Sequence, residues 1–429
     1  MKNTCNLLSF IFAITVLSAF NLSAQTDQEK TLINRLGSTA FSDLTRNILP
    51  WWSARMTDNV HGGFYGRIDA NDSIYPDAGK GGILNARILW TYSAAYRVLK
   101  DTAYLAKARR AMDYIARNFI DPVYGGAYLS LKFDGTVADS RKQVYTLSFF
   151  IYGLSEYSRA TGDRDALEKA KSIYMCIEKY AADRENGGYF EVFTRDWKRS
   201  HDRLIGESSD LDEKTMNTHL HLLESYTSLY RLWPDENLKG RLLNLITLFG
   251  NKIIDGKTSH LVPFLDRKWN PTSPEFSYGH DIECSWLLCE AAGLAGDNHL
   301  KQAVSEIAVK IADAASEGLS ADGSMATGKN TITGEVKPGR SWWEQAETVV
   351  GYLNAYEITH IIKYLSIALK CQDYISRYLV DKKNGGWFSE VTPDGKPGSN
   401  DKAGFWVCPY HNGRMCLELI ERTKTFDHH

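Results

Sequence analysis

His61-Gly62-Gly63-Phe64-Tyr65 returns as Tyr124-Gly125-Gly126-Ala127-Tyr128, as Asn186-Gly187-Gly188-Tyr189-Phe190 and as Asn384-Gly385-Gly386-Trp387-Phe388. Each copy runs into alternating residues and then a polar turn, such as Phe133-Asp134-Gly135 or Thr392-Pro393-Asp394-Gly395. Paired glycines followed by aromatics at every second position read as a short β-hairpin. Weaker copies near Thr258-Ser259-His260-Leu261 and Ser320-Ala321-Asp322-Gly323-Ser324 fill the gap. Six copies then lie roughly 60 to 70 residues apart, a spacing at which repeat architectures occur.

Between the copies the apolar period changes to that of a helix. Leu84 to Leu99, Val144 to Ala160, Met216 to Trp233, Ile282 to Leu294, Trp343 to Ile358 and Cys408 to Leu419 carry apolar residues at steps of three and four. Polar breaks such as Lys100-Asp101, Thr161-Gly162-Asp163 and Gly296-Asp297 end most of them. A second, more charged helix follows, as over Ala106 to Phe119 and Ala166 to Ala181. Six helix–hairpin–helix units cannot bury their apolar faces singly but can do so as a ring. The expected fold is all-α: an (α/α)6 barrel with apolar helices inside, charged helices outside and short hairpins at one end.

The chain start is different in kind. Lys2 precedes an apolar run from Leu7 to Phe20, and Ser23-Ala24 is followed by Gln25-Thr26-Asp27. That is the layout of a secretory signal over residues 1–24, with cleavage after Ala24 and a single catalytic domain over 25–429. The run is short for a membrane span, so export to the periplasm is expected, without a membrane anchor. Cys176, Cys284, Cys289, Cys371, Cys408 and Cys416 match no zinc or redox spacing and read as free thiols. The 50 Lys and Arg against 52 Asp and Glu leave a net charge of −2, which gives no general attraction to nucleic acid or anionic membrane. A small uncharged substrate fits better. The 11 Trp and 23 Tyr suit the apolar faces of sugar rings, although most large aromatics must serve the core.

One polar residue or pair stands in register near the start of each inner helix: Arg87, Tyr145, Asn217 with His221, His280 with Glu283, Glu347, and His411. All six helices thus aim a functional group at one mouth of the barrel, which is what an active site requires. Asn217 and His221 share a helix face, as do His280 and Glu283, so Glu283 is expected to orient His280 and raise its basicity. His219 lies on another face and is read as structural. Trp342-Trp343 cannot both point inward, so at least one is expected in the pocket. A metal site built from His221, His280, Glu283 and His411 is conceivable, but the spacing matches no standard metal motif.

The blocks carrying these residues are Asn85-Ala86-Arg87-Ile88-Leu89-Trp90, Asn217-Thr218-His219-Leu220-His221-Leu222-Leu223-Glu224, Gly279-His280-Asp281-Ile282-Glu283, Trp342-Trp343-Glu344-Gln345-Ala346-Glu347 and Trp406-Val407-Cys408-Pro409-Tyr410-His411-Asn412-Gly413-Arg414. Together they resemble the N-acylglucosamine 2-epimerase superfamily, in particular its cellobiose and mannobiose 2-epimerase branch, over essentially the whole mature chain. The resemblance implies a six-fold α/α barrel, no metal or other cofactor, and a disaccharide as partner. It implies that His280 and His411 are acid/base residues and His221 a third active-site histidine, with Glu283 and Glu347 as supporting carboxylates. It further implies that Arg87, Tyr145 and Asn217 polarise the substrate, while Trp343, Trp406 and the nearby Trp342 stack on it. The expected chemistry is C2 epimerisation of a reducing-end sugar through a cis-enediolate, by a chain acting as a monomer. The rivals are a monosaccharide epimerase or isomerase of the same superfamily, a glycoside hydrolase, which would lean on paired carboxylates, and a non-catalytic sugar-binding module. The export signal departs from many relatives, which are cytoplasmic.

Overall fold

The computed structural model describes residues 27–200 and 212–426, so the signal segment over 1–24 lies outside the described residues. The first helix, α1, starts at residue 27 and continues through a π-helical turn at Leu44–Ile48 into Leu49–Arg55. There follow α2 (Gly82–Leu99), α3 (Thr102–Tyr114), α4 (Val144–Thr161), α5 (Arg164–Tyr180), α6 (Met216–Leu232) and α7 (Glu236–Leu248). The remainder are α8 (Tyr278–Ala295), α9 (Asn298–Ala315), α10 (Trp342–Thr359), α11 (Ile362–Tyr374) and α12 (Tyr410–Phe426).

The even-numbered helices form the inner ring. Each packs on the next, α2 on α4 and so on to α12, and α12 packs back on α2 to close the circle. Their sequences explain the position. Residues Gly82 to Ala95 of α2 and Val144 to Ser158 of α4 are buried without a break, whereas α5 buries only a stripe of Ala166, Ala170, Ile173, Tyr174 and Ile177. A helix buried all round belongs to an interior, and a striped one to its outer wall. The outer partner of α12 is the chain's own beginning: Gly37 of α1 lies against Thr423, and Gln372 of α11 donates to the Leu36 carbonyl. The expected barrel is therefore the observed one.

The polar breaks between paired helices are caps. Lys100 and Gly162 take left-handed conformations that end α2 and α4. Asp101, Asp163, Asp235 and Asp297 then cap α3, α5, α7 and α9 through their carboxylates. Each such cap stabilises by about 1 kcal/mol and fixes where the chain reverses. The six cysteines are free, as expected.

The glycine motifs form tight loops ahead of the hairpins expected with them. Their paired glycines are both left-handed, with φ of +80° and +61° at Gly62 and Gly63, and close a loop joined by one bridge, Thr57 with Phe64. The weaker copies form the same bridge, Ile254 with Leu261 and Leu319 with Met325. Hairpins do follow some of them: Ser130–Leu131 pairs with Val137–Asp139 across Phe133-Asp134-Gly135, and Val391 bridges Pro397 across the turn at Gly395. Other pairings stitch neighbouring units. Lys80–Gly81 pairs with Ser130–Leu131, Lys142–Gln143 with Val192–Phe193, Lys214–Thr215 with Phe264–Leu265, and Arg340–Ser341 with Glu390–Val391. Each first-named strand leads directly into an inner helix.

Buried ion pairs anchor three of those strands and, in a fourth case, the segment that leads to α12. Lys80 meets Asp58 at 2.7 Å, Lys142 meets Asp121 at 2.9 Å, Lys214 meets Asp183 at 3.0 Å and Lys402 meets Asp381 at 2.9 Å. The aspartates also accept backbone N–H groups within their glycine loops, as Asp58 does from Val60 and His61. Each loop is thereby fixed to the segment that sets up the site.

Candidate active site

The mouth of the inner ring holds a pocket of about 190 Å³ lined by Arg87, Tyr145, Asn217, His221, His280, Glu283, Trp342, Trp343, Trp406 and His411. All ten were singled out in the sequence. Caps hold the helix starts that carry them: Thr215 accepts from the Thr218 N–H, Ser277 from the His280 N–H, and Ser341 with Glu344 forms a capping box. Trp342 and Trp343 both border the pocket. They sit at the first turn of α10, where the helix end itself faces the cavity.

Glu347, the remaining expected residue, lies one layer behind the pocket. It is 1% exposed, with Oε1 2.7 Å from His411 Nδ1 and 2.7 Å from an Arg414 nitrogen, while Trp286 donates to its other oxygen at 3.0 Å. Burial opposes its charge, but Arg414 and His411 outweigh burial and hold its carboxyl below the usual range. An ionised Glu347 can only accept, so His411 Nδ1 is the donor and Nε2 is left as the basic nitrogen. His221 repeats the arrangement, with Nδ1 2.8 Å from Glu224 Oε2.

His280 does not pair with Glu283. Its Nδ1 is buried without a partner, and Glu283 Oε1 instead accepts from Arg414 at 2.6 Å. The shared helix face is real, but the buried guanidinium on α12 attracts the carboxylate more strongly than a neutral imidazole does. Burial, reinforced by the charge of Glu347, raises the Glu283 carboxyl well above its ordinary value. Burial pushes both His280 and His411 down to about 3, with His221 adding to it at His280 and Glu347 opposing it at His411. Both rings are therefore neutral, and able to accept a proton, near neutrality. They border the same indole: the Trp343 ring centroid is 4.7 Å from that of His280 and 5.6 Å from that of His411.

Arg87 supplies positive charge to the pocket. It donates to the Tyr145 hydroxyl at 2.9 Å and stacks on Phe149 at 4.0 Å and Tyr410 at 4.7 Å. Among the described residues no carboxylate neutralises it, so the charge is free for an anion forming in the pocket. Burial pushes the Tyr145 phenol up to about 12, which keeps it a neutral hydrogen-bonding group. The unpartnered Asn217 Oδ1 and Trp342 Nε1 add unused polar capacity. His219 is structural as expected, bonded by Nδ1 to the Thr215 carbonyl and by Nε2 to the Tyr189 N–H.

Glu283, Glu347 and His411 bring ligand-type atoms within 4.8 Å of one another. The charge at that point is already Arg414, which takes up one oxygen of each carboxylate. Of the conceivable metal set, His221 is committed to Glu224 and His280 is not part of this cluster. Arg414 and Glu224 were the functional groups the sequence reading passed over. The signal for them was present: Glu224 stands three residues after His221 and Arg414 three after His411, the spacing applied only to His280 and Glu283.

The family model for N-acylglucosamine 2-epimerase (GlcNAc 2-epimerase) matches residues 63–412. The chain is 49% identical over 379 residues to the cellobiose 2-epimerase of Bacteroides fragilis, covering 88% of this chain and 97% of that protein. It is 37% identical over 388 residues to the cellobiose 2-epimerase of Dictyoglomus turgidum, covering 90% and 98%. The solved cellobiose 2-epimerase from Bacillus thermoamylovorans B4167 superposes with a TM-score of 0.87 at 41% identity, over 91% of this chain and 99% of that one.

Proposed function

The chain belongs to the N-acylglucosamine 2-epimerase family, and from that premise we propose that it inverts C2 of the reducing-end sugar of a β-1,4-linked disaccharide. Cellobiose would become glucosyl-mannose, or mannobiose mannosyl-glucose. The observation that carries the reading is the placement of two neutral imidazoles, His280 and His411, beside one indole in one pocket. Inversion needs a proton removed from one face of a carbon and returned to the other, so it needs two groups that each work as base or acid.

The reducing-end ring stacks on Trp343, and the second sugar reaches Trp406 at the rim. His411 Nε2, backed by Glu347, takes the O1 proton as the ring opens to the aldehyde and passes it to O5, and each histidine then gains or gives up its working proton through water. One histidine then removes the C2 proton. The negative charge passes from C2 to O1, beside Arg87 and the Tyr145 hydroxyl, as a cis-enediolate. The other histidine delivers a proton to the opposite face, and the ring closes. The reaction is reversible, so the histidine that removes the proton in one direction delivers it in the other. His221 and Asn217 hold the hydroxyls on the adjoining wall. Glu283 tunes the site from the pocket wall and Glu347 from behind it. The hydrolase alternative loses ground because, among the described residues, Glu283 is the one carboxylate lining the pocket, so no second carboxylate faces it there.

The proposal includes export through residues 1–24, supported by the charge and apolar pattern of that segment, and one catalytic domain over 25–429. Action as a monomer is part of the same proposal, supported by a ring of inner helices that closes within one chain.

Incubation with cellobiose, or with β-1,4-mannobiose, in heavy water is the test. The expected product has unchanged connectivity, inverted C2 and deuterium at C2. Split monosaccharides, or an epimer keeping its original hydrogen, would contradict the reading.

A further inference from the structure

We propose that Arg414 is a positioning residue for two imidazole–carboxylate pairs at once, fixing Glu347 behind His411 and Glu224 behind His221. The proposal rests on the epimerase reading above. Arg414 is 1% exposed and does not line the pocket, so it touches no substrate. One of its terminal nitrogens bonds Glu283 at 2.6 Å and Glu347 at 2.7 Å, and the other bonds Glu224 and the Tyr410 hydroxyl. The guanidinium is held between Trp286, at 4.7 Å, and Tyr410, at 4.2 Å.

This cation on α12 therefore ties together α6, α8 and α10, the helices that carry His221, His280 and Trp343. A planar fork can bridge three carboxylates from three directions, whereas an ammonium is a single point of charge. Without the fork, three buried carboxylates share no cation, and such groups either take up protons or turn toward water. Glu347 must be ionised and in place to keep the His411 proton on Nδ1 and Nε2 toward the sugar. Glu224 must do the same for His221. Disturbing either changes the proton-transfer step and leaves the substrate contacts of Arg87, Trp343 and Trp406 intact. The loss should fall on kcat rather than KM.

The experiment measures kcat and KM for cellobiose with the parent protein, Arg414→Lys and Arg414→Ala, with and without added guanidinium ion. In both variants kcat should fall about 100-fold, the scale of an ångström-level misplacement in a reacting site, while KM changes less than about threefold. Guanidinium should restore about tenfold in Arg414→Ala by refilling the vacated space. If Arg414→Ala does not fold, the split between kcat and KM in Arg414→Lys decides. A kcat for Arg414→Lys near the parent value, a loss expressed mainly in KM, or a folded Arg414→Ala that guanidinium does not rescue would overturn the proposal. An inactive parent would instead contradict the assigned reaction, so the two failures are distinct.

Discussion

His411 Nδ1 lies 2.7 Å from Glu347 Oε1, and that bond decides which imidazole nitrogen faces the sugar. Glu347 has no substrate to touch, yet the orientation and basicity of His411 depend on it. Glu347→Gln keeps the shape and removes the charge. It should lower kcat on the order of 100-fold, as expected when a general base loses its ionised partner, with KM changing little. Steady-state kinetics on cellobiose check this. A kcat within a few-fold of the parent would show that His411 works without the carboxylate.

The depressed histidines set the pH response. His280 and His411, both pushed down to about 3, stay neutral in the folded protein where a free imidazole would already be charged. A base must be neutral to act, so kcat/KM should hold its plateau below pH 6.5 and fall only well on the acid side. Stability moves in the same sense. Between pH 6.5 and about 3 the unfolded chain binds protons that the folded chain refuses, so unfolding becomes easier as pH drops through that window. Rate profiles, paired with re-assay at neutral pH after acid exposure, separate the two effects. An acid limb centred near 6.5 would contradict the depressed values.

The Lys214–Asp183 pair tests the scaffold. Both side chains are buried, and Lys214 also donates to the Gly187 and Arg267 carbonyls. Lys214→Met leaves Asp183 without its buried cation and should destabilise by about 3–5 kcal/mol. Denaturant unfolding measures it, and a change below about 1 kcal/mol would show that the pair does not anchor this segment.

The architecture was legible in the sequence because two periods alternate along it: glycine-marked loops and helical apolar spacing. Arg87, Tyr145, Asn217, His280 and His411 could be placed together from their register alone, since equivalent turns of a closed ring must face one mouth. What the sequence hid is side-chain choice among neighbours. Glu283 shares a face with His280 but turns to Arg414, a decision set by a charge on a helix 131 residues away. The Lys–Asp anchors were hidden for a similar reason, as partners 21 to 31 residues apart meet only when the loop closes. The paired glycines looked like strand turns because the left-handed loops they form share that composition.

The central claim is that His280 and His411 serve opposite faces of one carbon. Each should therefore support half of the reaction alone. His280→Asn and His411→Asn are incubated in heavy water with cellobiose and, separately, with glucosyl-mannose, and C2 hydrogen is followed by NMR. The account predicts that each variant exchanges deuterium into one epimer and not the other, with conversion between them lost in both. A variant that exchanges both epimers equally, or that still interconverts them, would contradict it.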